Sequence, residues 1–140
     1  MMPILVVDFD GLLNPMPKGW FDIGAYRDSS VKETVKFLIA ATEYFEIAIF
    51  GPRSLLFGGI QTMQAAIISW TTMEVNKATM HDLMAVLWFP TTEPVDYAVY
   101  INSTGVKRGS KYSELDVDAL NFVSEWQVAL ATTARSPMIR

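Results

Sequence analysis

The sequence predicts an α/β domain built on a mainly parallel sheet, and three observations carry that prediction. Ile4 to Val7 and Glu46 to Phe50 are short apolar runs without polar alternation, the pattern of strands covered on both faces. Segments with apolar residues at helical spacing separate such runs. Polar and turn residues follow the runs at once, where parallel sheets place functional groups. The order strand, helix, strand, helix, then strand, strand, helix predicts helices on both faces of the sheet, in three layers.

The first run ends at Asp8-Phe9-Asp10-Gly11. Ser30-Val31-Lys32-Glu33 then has capping-box spacing, and Val31, Val35, Leu38 and Ile39 continue it as a helix to about Tyr44. After Glu46 to Phe50, Gly51-Pro52 forces a turn. From Gly59, Ile60, Met63, Ile67 and Trp70 share a helical face. A short helix is expected between Lys77 and Met84, followed by strands at Ala85 to Phe89 and Tyr97 to Ile101. Ser113-Glu114-Leu115-Asp116 opens a last helix through Ala119, Leu120, Val123 and Trp126. No clear period continues beyond it. The expected organisation is one domain over residues 1–127 with a tail over 128–140.

Composition narrows the function classes. The chain has 140 residues, 51% hydrophobic and 19% charged, with 11 basic against 15 acidic side chains and a net charge of −4. That balance argues against a general phosphate-backbone binder and leaves apolar surface to share with a protein partner or a second copy. With no cysteine, thiolate metal sites and cysteine nucleophiles are excluded. The opening residues lack the basic flank of a signal peptide, and the uncharged stretch from Ser54 to Met73 is interrupted by Gly58, Gly59, Gln61, Thr62, Gln64 and Ser69. A cytoplasmic protein without a membrane span is the expectation.

Asp8 and Asp10 carry the clearest chemistry. Two carboxylates at the end of a buried strand repel each other, and a hard cation such as Mg²⁺ relieves the repulsion. An aspartate can also attack phosphorus and form an aspartyl-phosphate. The competing reading is a pair of carboxylates that cap nearby amides or face solvent.

Ile4 to Leu13, an apolar strand followed by D-x-D-G, resembles the first motif of the haloacid dehalogenase (HAD) superfamily. Gly19-Trp20, the loop to Asp28-Ser29-Ser30-Val31, Phe45 to Ser54, and Gly59-Ile60-Gln61-Thr62-Met63 are similar to short, capless HAD proteins of bacteria and phages. Phe89-Pro90 to Ile101 resembles the same group's strand toward its fourth motif. The resemblance spans about Met2 to Trp126. It implies a three-layer HAD-like Rossmannoid fold with no substantial cap. It also implies a Mg²⁺-dependent phosphohydrolase acting on a small phosphate ester or a nucleic-acid phosphate end. Asp8 is then the nucleophile and a metal ligand. Asp10 is the acid–base residue, with its backbone carbonyl on the metal.

Later motifs depart from the pattern. Gly51 stands where the family has a phosphate-binding Ser or Thr, Glu93 where it has Lys, and Asn102-Ser103 where it has paired aspartates. Asn102 retains an amide oxygen as a third metal ligand, and Ser54 offers a hydroxyl if the Gly51-Pro52 turn re-aims it. Arg53, at a strand's carboxyl end, is the first candidate for binding phosphate, with a solvated loop arginine as the alternative. Lys77, Lys107 and Arg108 are further possible substitutes. His81 stands alone and is expected on a helix surface. Trp20, Trp70, Trp88 and Trp126 are expected to serve packing. Two function classes follow, a weak phosphohydrolase using Asp8 and Asp10, or a catalytically degenerate HAD-fold module for binding or assembly.

Overall fold

A computed structural model describes residues 2–14 and 33–135, with side chains to residue 127. The apolar run at the start forms β1 (Ile4–Asp8), in which Leu5, Val6 and Val7 are fully buried. Burial on both faces follows from its place. Parallel neighbours flank β1, namely β2 (Glu46–Phe50) on one side and β4 (Val99–Asn102) on the other. β3 (Leu87–Trp88) pairs parallel with β2, and β5 (Gly105–Arg108) pairs antiparallel with β4. The sheet order is β3-β2-β1-β4-β5, so the chain is an α/β protein with a mostly parallel five-stranded sheet.

Four helices occur among the described residues: α1 (Thr34–Ala41), α2 (Gly59–Glu74), α3 (Lys77–Val86) and α4 (Val117–Arg135). Strand alternation sorts the core into two clusters. Leu5, Val7, Ile47, Ile49, Val99 and Ile101 form one with buried residues of all four helices, including Phe37, Trp70, Leu83 and Phe122. Val6, Ala48, Phe50 and Tyr97 form the other, which contains no helical residue. Among the described residues the helices cover one face, and the expected second helical layer is not seen among them. The reason is the connection from β3 to β4. It is short, contains Pro90 and Pro94, and contributes Tyr97 to the second face in place of a helix.

Boundaries differ from expectation in instructive ways. Glu33, at φ 71°, precedes α1, and the expected capping residues Ser30 to Lys32 lie outside the described residues. Ala85 and Val86 end α3 and do not begin a strand. Asn76 accepts the Thr79 N–H at 2.8 Å, which starts a helix whose Met80 and Leu83 are buried. Residues 105–108 form an edge strand where the sequence predicted none. Asp116, not Ser113, caps the last helix, accepting the Ala119 N–H at 2.8 Å after a 3-10 turn at Tyr112–Glu114. That helix runs through residue 128, where a tail was expected, to Arg135.

Candidate functional site

The residues after β1 fold back on themselves. The Leu13 and Asn14 N–H groups both donate to the Phe9 carbonyl at 2.9 Å, and the Gly11 N–H donates to the Asn14 carbonyl at 2.7 Å. Gly11 sits at φ 84°, which explains a glycine after the second aspartate. Phe9 turns into the core and stacks on Trp70 of α2, with centroids 5.7 Å apart. Asp10 joins a side-chain cluster beside it.

That cluster is built around Arg53, in a 3-10 turn (Pro52–Leu55) that follows β2. Its Nε donates to Asp10 Oδ2 at 2.7 Å and its Nη2 to Asp10 Oδ1 at 3.0 Å, a bidentate ion pair. Asn14 Nδ2 donates to the same Oδ1 at 3.0 Å. The Arg53 side chain is 1% exposed and Asp10 12%, and the guanidinium carbon lies 5.2 Å from the Phe9 ring centre. Arg53 is not a solvated loop residue, and the Nε–Nη2 edge of its guanidinium is taken up by a carboxylate.

Asp8 ends β1 on the helix-free face, half-buried. Gly51 lies against it, since a Cβ on Gly51 would stand 3.0 Å from Asp8 Oδ1. Continuing the β1–β4 register by one pair sets Asn102 beside Asp8. The sequence thus correctly gathered Asp8, Asp10, Gly51 and Asn102 at one edge. Burial, and then the charge of Asp10, push the Asp8 carboxyl up from 3.8 to about 6, against the opposing Phe9 N–H. Tyr100, half-buried on β4, is raised to about 12 by burial and by the charges of Asp8 and Glu93, so it stays a neutral donor.

Asp8 gives a pH dependence of defined sign. Because its folded pKa lies above its unfolded one, its contribution to stability is fully present below about pH 3.8 and is lost as pH rises through about 6. Asp8→Asn is therefore expected to stabilise the protein at pH 7. The gain is on the order of 1 kcal/mol once solvent screening of a partly exposed group is allowed for. Urea unfolding of parent and variant at pH 4 and pH 7 measures it; a variant less stable than the parent at pH 7 refutes the assignment.

The remaining expected ligands are committed elsewhere. Ser54 Oγ accepts the Gly51 N–H at 3.2 Å and holds its own turn, so the hydroxyl is not re-aimed toward Asp8. Asn102 Oδ1 accepts from the Thr104 N–H at 2.9 Å, the Thr104 hydroxyl at 2.6 Å and the Gly105 N–H at 3.1 Å. This closes the β4–β5 turn and removes the amide oxygen as a metal ligand. Arg108 pairs across from Val99, at the end of β4 away from Asn102, and lies over the Tyr112 ring at 4.5 Å. His81 is exposed on α3, as expected. Trp70 and Trp126 pack in or against the core, whereas Trp88 is 47% exposed on the edge strand.

A Mg²⁺ ion held by the side chains of Asp8, Asp10 and Asn102 together does not fit this arrangement. Both Asp10 oxygens and the Asn102 oxygen already accept hydrogen bonds. Among the described residues no three His, Cys, Asp or Glu side chains converge as a metal-binding group. Also among them, no helix is long and apolar enough to cross a membrane. Comparison with family models, curated proteins and solved structures finds no match to the chain.

Proposed function

We propose that the chain is a HAD-like Rossmannoid domain, without a cap, whose D-x-D crevice serves binding or assembly and not phosphoryl transfer. The observation that carries this reading is the closure of Arg53 on Asp10. A general acid must offer a proton to a leaving oxygen and then recover one. The Asp10 carboxylate instead accepts a guanidinium through both oxygens and an amide through one of them. Gly51 and Glu93, where the resemblance expects a hydroxyl and a cation, weaken phosphate binding further, since each missing donor removes about 2.7–4 kcal/mol of transition-state stabilisation. A protein partner or a second copy, met in the cytoplasm, is the occupant this reading favours.

One observation favours the phosphohydrolase. Asp8 stands at the end of the central strand beside Gly51 and Asn102, the position the resemblance gives to the nucleophile. The assay that separates the two readings follows release of phosphate from an aryl phosphate, with and without Mg²⁺, by parent and Asp8→Asn. The binding reading expects equal background rates from both proteins. Mg²⁺-dependent release by the parent that disappears in Asp8→Asn overturns it in favour of the phosphatase.

A further inference from the structure

The pairing of Arg53 with Asp10 places a cation where the D-x-D pattern otherwise expects a metal ion. Two carboxylates stand at the end of β1, and the chain supplies one buried positive charge, from a different segment, to the second of them, Asp10. Three elements build the position of that charge. The turn after β1 offers Asp10 and the Phe9 ring, and the 3-10 turn after β2 carries Arg53 itself. The start of α2 supplies Gly59, whose missing side chain lets the Arg53 backbone approach. From Ile47 to Met73 Arg53 is the one charged residue in the sequence.

We propose that Arg53 is the resident counter-cation of Asp10, taking the place of a divalent ion on that carboxylate, so that the D-x-D crevice does not take up metal. The proposal rests on reading the crevice as a converted D-x-D site. A divalent ion entering on the Asp10 carboxylate meets a like charge on the guanidinium and has to displace two charge-assisted hydrogen bonds. Removing the guanidinium leaves two carboxylates near each other with only neutral donors, the Asn14 amide on Asp10 and the Phe9 N–H on Asp8. That is the arrangement a hard divalent cation binds through one or two carboxylates and water.

Calorimetric titration with Mg²⁺ and with Mn²⁺ alone, on parent, Arg53→Gln and Arg53→Lys, tests this. The parent is expected to give no saturable binding in the millimolar range. Arg53→Gln is expected to bind at least about tenfold more tightly than the parent, and to melt at a higher temperature when either ion is added. Arg53→Lys keeps the charge without the fork and falls between them. Should Arg53→Gln fold poorly, the ions are added during refolding, and recovery of folded protein replaces the titration. Parent binding as tight as that of the variants, or no gain in binding or recovery for either variant, overturns the proposal. Metal binding by a parent that lacks phosphatase activity defeats this inference and leaves the binding reading standing. Metal-free phosphatase activity does the reverse.

Discussion

Replacing Asp10 with asparagine is expected to lower the unfolding free energy by about 3–5 kcal/mol, because the change strands a buried guanidinium without its carboxylate. The side chains match closely in shape, so packing is nearly preserved and the loss reports charge and hydrogen bonding. The Arg53 side chain is 1% exposed and lies beside the Phe9 ring. The comparison with Asp8→Asn is the informative one. Two aspartates two residues apart should respond with opposite signs at pH 7, one substitution destabilising and the other mildly stabilising. Urea unfolding of both variants and of Asp10→Asn combined with Arg53→Gln gives the coupling between the pair. A loss below about 1 kcal/mol for Asp10→Asn means that the ion pair is held no more firmly than a surface pair.

Gly59→Ala is the second large effect. A Cβ at this position lands on the Arg53 backbone carbonyl, which cannot swing aside as a side chain end can. Helix α2 must move away from the 3-10 turn or the turn must open, and both disturb Arg53. Overpacking of this kind costs about 3 kcal/mol or more when backbone has to shift. Thermal unfolding measures the loss. Wild-type stability in Gly59→Ala contradicts the close approach between the first turn of α2 and the Arg53 carbonyl.

Reading the sequence succeeded where the signal was local. Ile4 to Val7 and Glu46 to Phe50 are apolar runs whose burial follows from neighbours on both sides, and β2 has the bounds expected of it. Gly51-Pro52 marked the turn, and Met63, Ile67 and Trp70 marked the buried face of α2. Where tertiary context decided, the sequence was silent or misleading. Ala85 and Val86 are apolar enough for a strand but continue a helix that Asn76 had already started. Gly105 to Arg108 lacks an apolar alternation, since it is an edge strand with two exposed basic residues.

The site divides in the same way. Gathering Asp8, Asp10, Gly51 and Asn102 at one edge needed only the rule that parallel strands end together. The partner of Asp10 lies 43 residues away, and no spacing rule reaches that far. A signal did exist, in the form of one arginine within an otherwise uncharged stretch that builds a strand and a core helix. Such a charge is buried with a partner more often than an arginine in a polar loop. Asn102-Ser103-Thr104-Gly105 likewise carried the marks of an Asx turn, which competes for the oxygen that a metal would need.

The sheet order also sets a sequence of events during synthesis. β1 leaves the ribosome before the other described strands and becomes the central strand, and β2 and its connecting helix soon follow to cover one edge. The other edge belongs to β4, whose Val99 pairs with Leu5 almost a hundred residues earlier. At ordinary translation rates that edge stands open for roughly 5–20 s. Leu5, Val6 and Val7 therefore spend the wait as an unpaired apolar strand edge, the kind of surface that recruits other nascent chains or a chaperone before β4 and β5 close it.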